Sequence, residues 1–340
     1  MNKHFLLLVV CTSILLTMSP SYGFDLQSAA FSLNTDSKDI STSIEYKKIN
    51  ELLDNVENSW NSHDIKKLNN YYSDDFINGD GLDFESITDL TKDLWEAYPD
   101  IMSKSQDRVI RIFGEYATIE STDLYEGTSS KVRDEVGTKG SLKAVSMGQL
   151  FLKKFGPKWK ITSDKTLFEK VSIGYGEGIR LIDEDKIRLN APEQVPGGKQ
   201  YTTRLDFDLP KDIKPVAAIS KEVLVFPQVT TDDKFRLTNE FKLEKWITAN
   251  NIGKNELITA TVGLTGEALK PQLVGLVFLT KRVNVIPVSD EDGELSIIKT
   301  PAKSALNKSV ELLDTFKDGK SKKKDKKSND DKEKNPNTEF

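Results

Sequence analysis

Apolar positions change period along this chain. From 44 to 98 they recur every three and four residues. Ile49, Leu52, Leu53, Val56 and Trp60 share one face, which predicts an amphipathic helix over 44–61. Thr42 with Glu45 three residues later fits a capping box. Asp64 can cap a short helix over 65–72. A third helix is predicted over 84–98, with Ile87, Leu90, Leu94, Trp95 and Tyr98 on one side and Pro99 as its stop. Beyond 108 the period falls to two. Strands are expected at 108–113 and 116–125 around Gly114-Glu115, at 141–155, and at 159–165 after Gly156-Pro157. Residues 126–140 are charged and contain Gly, and read as a mobile hairpin loop.

The second half carries seven strand-like runs, at 186–190, 200–209, 216–226, 234–237, 241–249, 256–264 and 273–286. That density of short strands suggests a β-sandwich. A closing helix is read at 303–316. The expected architecture is an α+β cone, three helices over a curled antiparallel sheet, over 43–175. An all-β sandwich domain follows over 180–290. Residues 291–316 are read as a linker with the short helix.

The ends differ from the body. Lys3, the apolar stretch from Phe5 to Met18, and Ser21-Tyr22-Gly23 have the form of a secretory signal cleaved after Gly23. The expected location is therefore exported, periplasmic or extracellular. Residues 24–42 read as a linker. Residues 317–340 hold nine Lys and six acidic residues, with no large apolar residue before Phe340. Such a segment cannot offset its ordering entropy by burial and is expected to be a disordered Lys-rich tail, with weak contact to an anionic surface as its functional alternative.

The 340 residues include 48 Lys+Arg and 53 Asp+Glu, a net charge of −5 that argues against a nucleic-acid partner. The single Cys, Cys11, excludes an internal disulfide framework and a Cys-rich zinc site. The two His have no metal-ligand spacing, and no motif implies a cofactor.

Three pieces carry a family resemblance: Trp60-Asn61-Ser62-His63-Asp64-Ile65 with Tyr72-Ser73-Asp74-Asp75-Phe76, then Tyr98-Pro99-Asp100-Ile101, then Gly156-Pro157-Lys158-Trp159-Lys160-Ile161. In order and spacing, residues 44–172 resemble the nuclear-transport-factor-2-like superfamily, in its SnoaL-like and ketosteroid-isomerase-like branch. The second half resembles immunoglobulin-like modules of exported bacterial proteins, without the Cys pair of antibody domains. The first resemblance implies a pocket between sheet and helices, used in that family for catalysis or for plain binding. It also implies a carboxylate base near Asp80 and, in the cyclases, an acid near Asp164. The donor Tyr expected in the first helix falls near Val56, and no acid stands at Gln149 to Leu152.

Asp80 and Asp164 are thus the candidate catalytic carboxylates. Asn78-Gly79-Asp80-Gly81 also reads as an ordinary turn, whose acid is removable without loss of folding. Asp164, beside Lys165, also reads as half of a surface ion pair. Tyr72, Trp95, Tyr98, Met147 and Gln149 are the candidate pocket lining, with core packing as the plain alternative for the aromatics. His63 is expected to face solvent. The acidic runs 78–85 and 290–294 lack calcium-loop spacing. The preferred reading is an exported non-catalytic protein. Its cone would bind a small apolar-polar ligand or form a homodimer, and its sandwich would contact a protein partner in the envelope. The alternative is an isomerase, dehydratase or cyclase.

Overall fold

Helix α1 (Ile44–Asn61) spans the predicted range and buries Ile49, Leu52 and Leu53. The computed structural model describes residues 44–224, 236–237, 242–266 and 272–288, which all belong to one compact unit. Thr42, the signal, the helix at 303–316, the acidic run 290–294 and the Lys-rich tail lie outside these residues.

Glu45 in the first turn of α1 accepts a hydrogen bond from Trp159 Nε1 at 2.8 Å and pairs with Lys154 at 3.1 Å, which ties the helix to the sheet. The Asp64 carboxylate accepts from Lys67 N and opens α2 (Ile65–Asn69). Asp83 accepts from Ser86 N and opens α3 (Phe84–Ala97). Both caps occupy N–H groups that the first helical turn leaves without partners.

Four long strands follow as a meander: β1 (Met102–Phe113), β2 (Tyr116–Arg133), β3 (Thr138–Phe155) and β4 (Lys158–Gly176). The stretch 126–140, expected as a loop, is mostly strand, with the hairpin turn confined to 134–137. A short helix, α4 (Glu177–Asp183), leads to β5 (Ile187–Asn190), β6 (Gln194–Pro196), β7 (Gln200–Phe207), β8 (Ile213–Val223), β9 (Arg236–Leu237), β10 (Lys242–Thr248), β11 (Glu256–Gly266) and β12 (Gln272–Ile286).

The expected cone followed by a separate sandwich is not what forms. β12 pairs antiparallel with β4 from Gly275↔Gly176 to Lys281↔Lys170. One sheet therefore runs β1-β2-β3-β4-β12-β11-β8-β9, with β6 parallel on β12. Only β10-β7-β5 form a second sheet. The physical cause lies in β12. Phe278 packs with Leu94, Trp95, Tyr98, Val171 and Ile173 in the core under the helices. Its neighbours Val277 and Leu279 pack with Leu189, Leu205, Ile247 and Ala260 under the small sheet. A strand apolar on both faces must be covered on both. The helices cover one face of the first half, and the small sheet covers the opposite face of the second.

Candidate functional site

The helix side of β1–β4 encloses a pocket of about 130 Å³. Leu53, Val56 and Trp60 of α1 form its apolar wall, and Tyr72, Asp123, Tyr125, Ser146 and Asp164 are its polar lining. Tyr72 is held by a short parallel bridge to Ile161, with Ser73 N donating to Ile161 O at 2.9 Å and Ile161 N to Tyr71 O at 2.8 Å.

Three irregularities aim the polar residues inward. On β4, Ser163 pairs with Phe151 but Ile161 pairs with Leu152, so Thr162 is an extra residue. Simple alternation from buried Ile161 would place Asp164 on the outer face; the bulge turns it inward, beside Leu150. A second bulge, at Leu167, restores Glu169, Val171 and Ile173 to the same face. On β1 the register shifts between Gln106 and Val109, and Arg108 reaches back to Glu57 and Asp54 of α1 at 2.5 Å each. Ser105, Asp123, Ser146 and Glu169 then stand as cross-strand partners in one polar row.

The two pocket carboxylates differ in their surroundings. Asp123 accepts from Ser105 Oγ at 2.5 Å and from Ser121 Oγ at 3.3 Å. Burial pushes its carboxyl up, while the two serines and Arg108 pull it back. Asp164 is only 3% exposed, and its Oδ1 has no hydrogen-bond partner. Burial, and then the charge of Asp80, push it well above the carboxylate range, with Arg282 opposing. Burial also raises the phenols of Tyr72 and Tyr125, and nearby carboxylates add to the shift. At neutral pH both phenols are therefore hydrogen-bond donors, and burial shifts Asp164 toward its protonated form.

The remaining candidates are dispersed. Asp80 lies outside this pocket. Its carboxylate meets Arg282 through two bonds of 2.9 and 2.7 Å and accepts from Asn255 Nδ2 at 3.0 Å. Its turn is closed by Asn78 Oδ1, which accepts from Asp80 N and Leu82 N. The side chains of Asp80 and Arg282 are 4% and 0% exposed, so Asp80 is a buried structural anion and not a removable turn acid. Asp164 is likewise no surface ion pair. Met147 and Gln149 project from the opposite face of β3, Met147 into solvent and Gln149 onto Glu120. Their even-numbered neighbours Ser146 and Leu150 line the pocket instead. Trp95 is core, packed against Trp60. Tyr98 lines a different cavity. His63 is stacked on Trp95 with ring centres 4.7 Å apart, rather than facing water.

Sequence reasoning missed Asp123, Tyr125, Ser105 and Arg108. For the first two a signal existed: from Ala117 and Ile119, strict alternation along β2 carries the core face through Ser121 to Asp123 and Tyr125. Among the described residues no group of His, Cys, Asp and Glu is arranged to hold a metal ion.

No family model matches the chain, and no curated protein matches it. Solved structures similar to part of it include Bd1075 of Bdellovibrio bacteriovorus, at 18% identity and TM-score 0.30; the match covers 35% of this chain and 40% of that one. A putative scytalone dehydratase from Novosphingobium aromaticivorans is 12% identical with TM-score 0.30 over 36% of this chain and 83% of that one. A hexachlorocyclohexane dehydrochlorinase, LinA type 3 from Novosphingobium barchaimii, is 15% identical with TM-score 0.29 over 36% of this chain and 84% of that one.

Proposed function

We propose that the chain is an exported protein whose helix-covered pocket carries out proton transfer on a small carbonyl compound, the chemistry of an isomerase or dehydratase. The observation that carries this reading is Asp164 Oδ1, buried without a partner in the wall of a cavity that also holds Asp123 and two phenols. A buried polar atom left unpaired costs about 1–3 kcal/mol, which a bound ligand would recover. Burial raises both carboxyls, Asp164 the more strongly, and such an unequal pair suits the two halves of acid–base work. Asp123, supported by Ser105 and near Arg108, is the base that takes a proton beside the carbonyl. Tyr72 and the protonated form of Asp164, which burial favours, donate hydrogen bonds to the oxygen as negative charge develops there. No step requires a metal or an organic cofactor.

The test is deuterium exchange. The protein is incubated in D₂O with a panel of small ketones, and loss of the α-proton signal is followed by NMR. Exchange faster than in buffer, reduced about 100-fold or more by Asp123→Asn, supports the assignment. Exchange no faster than in buffer for every ketone removes it. A second reading, binding without turnover, draws on the pocket's size, which is below the ~300 Å³ usual for ligand sites. In that case ketones would bind with no exchange, and Asp164→Asn would still weaken them. Export is part of the same proposal: the mature protein from its source is expected to begin at Phe24, read by N-terminal sequencing.

A further inference from the structure

The same face of the sheet carries a second cavity, of about 260 Å³, which shares no lining residue with the Asp123–Asp164 pocket. Its floor is aromatic. Tyr98 and Phe278 are buried, and the Tyr175 and Phe278 rings meet edge to face at 6.2 Å. Tyr175 lies across Gly140 of β3, where a Cβ would stand 2.5 Å from the ring, so only glycine admits the floor. One wall is a bulge of β2. Register with β3 shifts between Thr128 and Val132, and the freed Ser129 Oγ accepts from Gly140 N and donates to Lys131 O, both at 2.8 Å. Bulges commonly re-aim a side chain at a site.

Here the re-aimed side chain is Arg133. Its guanidinium stands 6.0 Å above the Tyr175 ring and 5.6 Å above Phe278. Its Nε is 3.0 Å from Glu135 Oε2, yet the alignment gives no hydrogen bond, and the atom is buried. The cation is thus held in place by the two rings and by the Glu135 carboxylate, with Nε outside hydrogen-bond alignment. Asp93 and Glu96 on the last turns of α3 and Asp134 beside Arg133 complete the lining with exposed carboxylates.

We propose that this cavity binds a free α-amino acid with an apolar side chain. Its carboxylate pairs with Arg133, its ammonium with Asp93 and Glu96, and its side chain lies on Tyr98, Tyr175 and Phe278. A guanidinium fork matches a carboxylate. The lining carboxylates Asp93, Glu96 and Asp134, with Glu135 beside Arg133, disfavour a multiply charged anion such as phosphate, and the guanidinium's own charge disfavours a simple organic cation. The volume is below that of drug-sized ligand sites and suits one small zwitterion.

Calorimetry on the full chain tests this with four probes: L-leucine, leucinamide, N-acetyl-leucine and inorganic phosphate. Leucine is expected to bind. Leucinamide lacks the carboxylate and N-acetyl-leucine lacks the ammonium, and each should bind at least tenfold more weakly. Arg133→Ala should weaken leucine by tenfold or more at an unchanged circular dichroism spectrum. The pair Asp93→Asn with Glu96→Gln should weaken leucine but not N-acetyl-leucine. The proposal is overturned if millimolar leucine gives no heat, if N-acetyl-leucine binds as tightly as leucine, if Arg133→Ala folds and binds normally, or if phosphate binds more tightly than leucine.

Discussion

One extra residue, Thr162, decides which way Asp164 points, and with it the character of the pocket. Its carboxyl is raised well above the ordinary 3.8 by burial. A raised carboxyl favours folding below pH 3.8, and that contribution is lost as pH rises through the folded-state value. Asp164→Asn keeps the shape and removes the titration. The variant should therefore gain on the parent protein in urea midpoint between pH 4 and pH 8; parallel midpoints across that range would contradict the assignment. Glu45 behaves in the opposite sense. Lys48, Trp159 and Lys154 hold it at about 2 against an ordinary 4.5, so its contribution is present above 4.5 and fades as the solution is acidified toward 2. Glu45→Gln should flatten the acid limb of stability. These residues also show what a sequence reader can and cannot see. Asp123 follows the period-two pattern from Ala117 and was open to inference. Asp164 does not, because bulges break the alternation that places side chains. Met147 and Gln149 stand on the other face of β3, and the pocket uses Ser146 and Leu150 on either side of them.

At the scale of elements, helices and strands were legible wherever one face is apolar; the cap expected at Asp64 formed, and the structure adds one at Asp83. Pairing was not. Nothing in the period of β12 says whether its partner is a strand of its own half or β4, because Val277-Phe278-Leu279 is apolar throughout. The seam is completed by close contact with α4, which lies against it with little side chain between. A Cβ at Gly178 would stand 2.3 Å from Leu276 O and 2.8 Å from Val277 Cγ2; at Gly174 it would meet the Gly178 carbonyl carbon at 2.7 Å. Neither the strand carbonyl nor the helix backbone can yield cheaply. Gly178→Ala should therefore lower unfolding free energy by about 1–3 kcal/mol, the usual cost of overpacking. Denaturant titration measures it, and an unchanged midpoint would mean that α4 is free to lift from the sheet.

For the whole molecule, the continuous sheet predicts joint unfolding of the two halves, and the Asp80–Arg282 pair lets this be tested. Asp80 comes from the turn before α3, Arg282 from β12, and Asn284 steadies the guanidinium at 2.9 Å while donating to Leu167 O of β4 at 2.8 Å. The pair is buried, so neutralising Asp80 withdraws a close counter-charge from the Arg282 guanidinium. Asp80→Asn should lower stability by up to about 3–5 kcal/mol, the usual loss when one partner of a buried ion pair is removed. Trp60, Trp95 and Trp159 report on the helix-covered half once Trp246 of β10, 68% exposed, is replaced by Phe, and far-UV circular dichroism reports mainly on strands of both halves. In a molecule joined through β4 and β12 the two signals fall together, before and after Asp80→Asn, and shift by the same amount. Two separated transitions, with only the tryptophan signal displaced by the substitution, would show that the halves unfold independently and that the seam adds little to their stability.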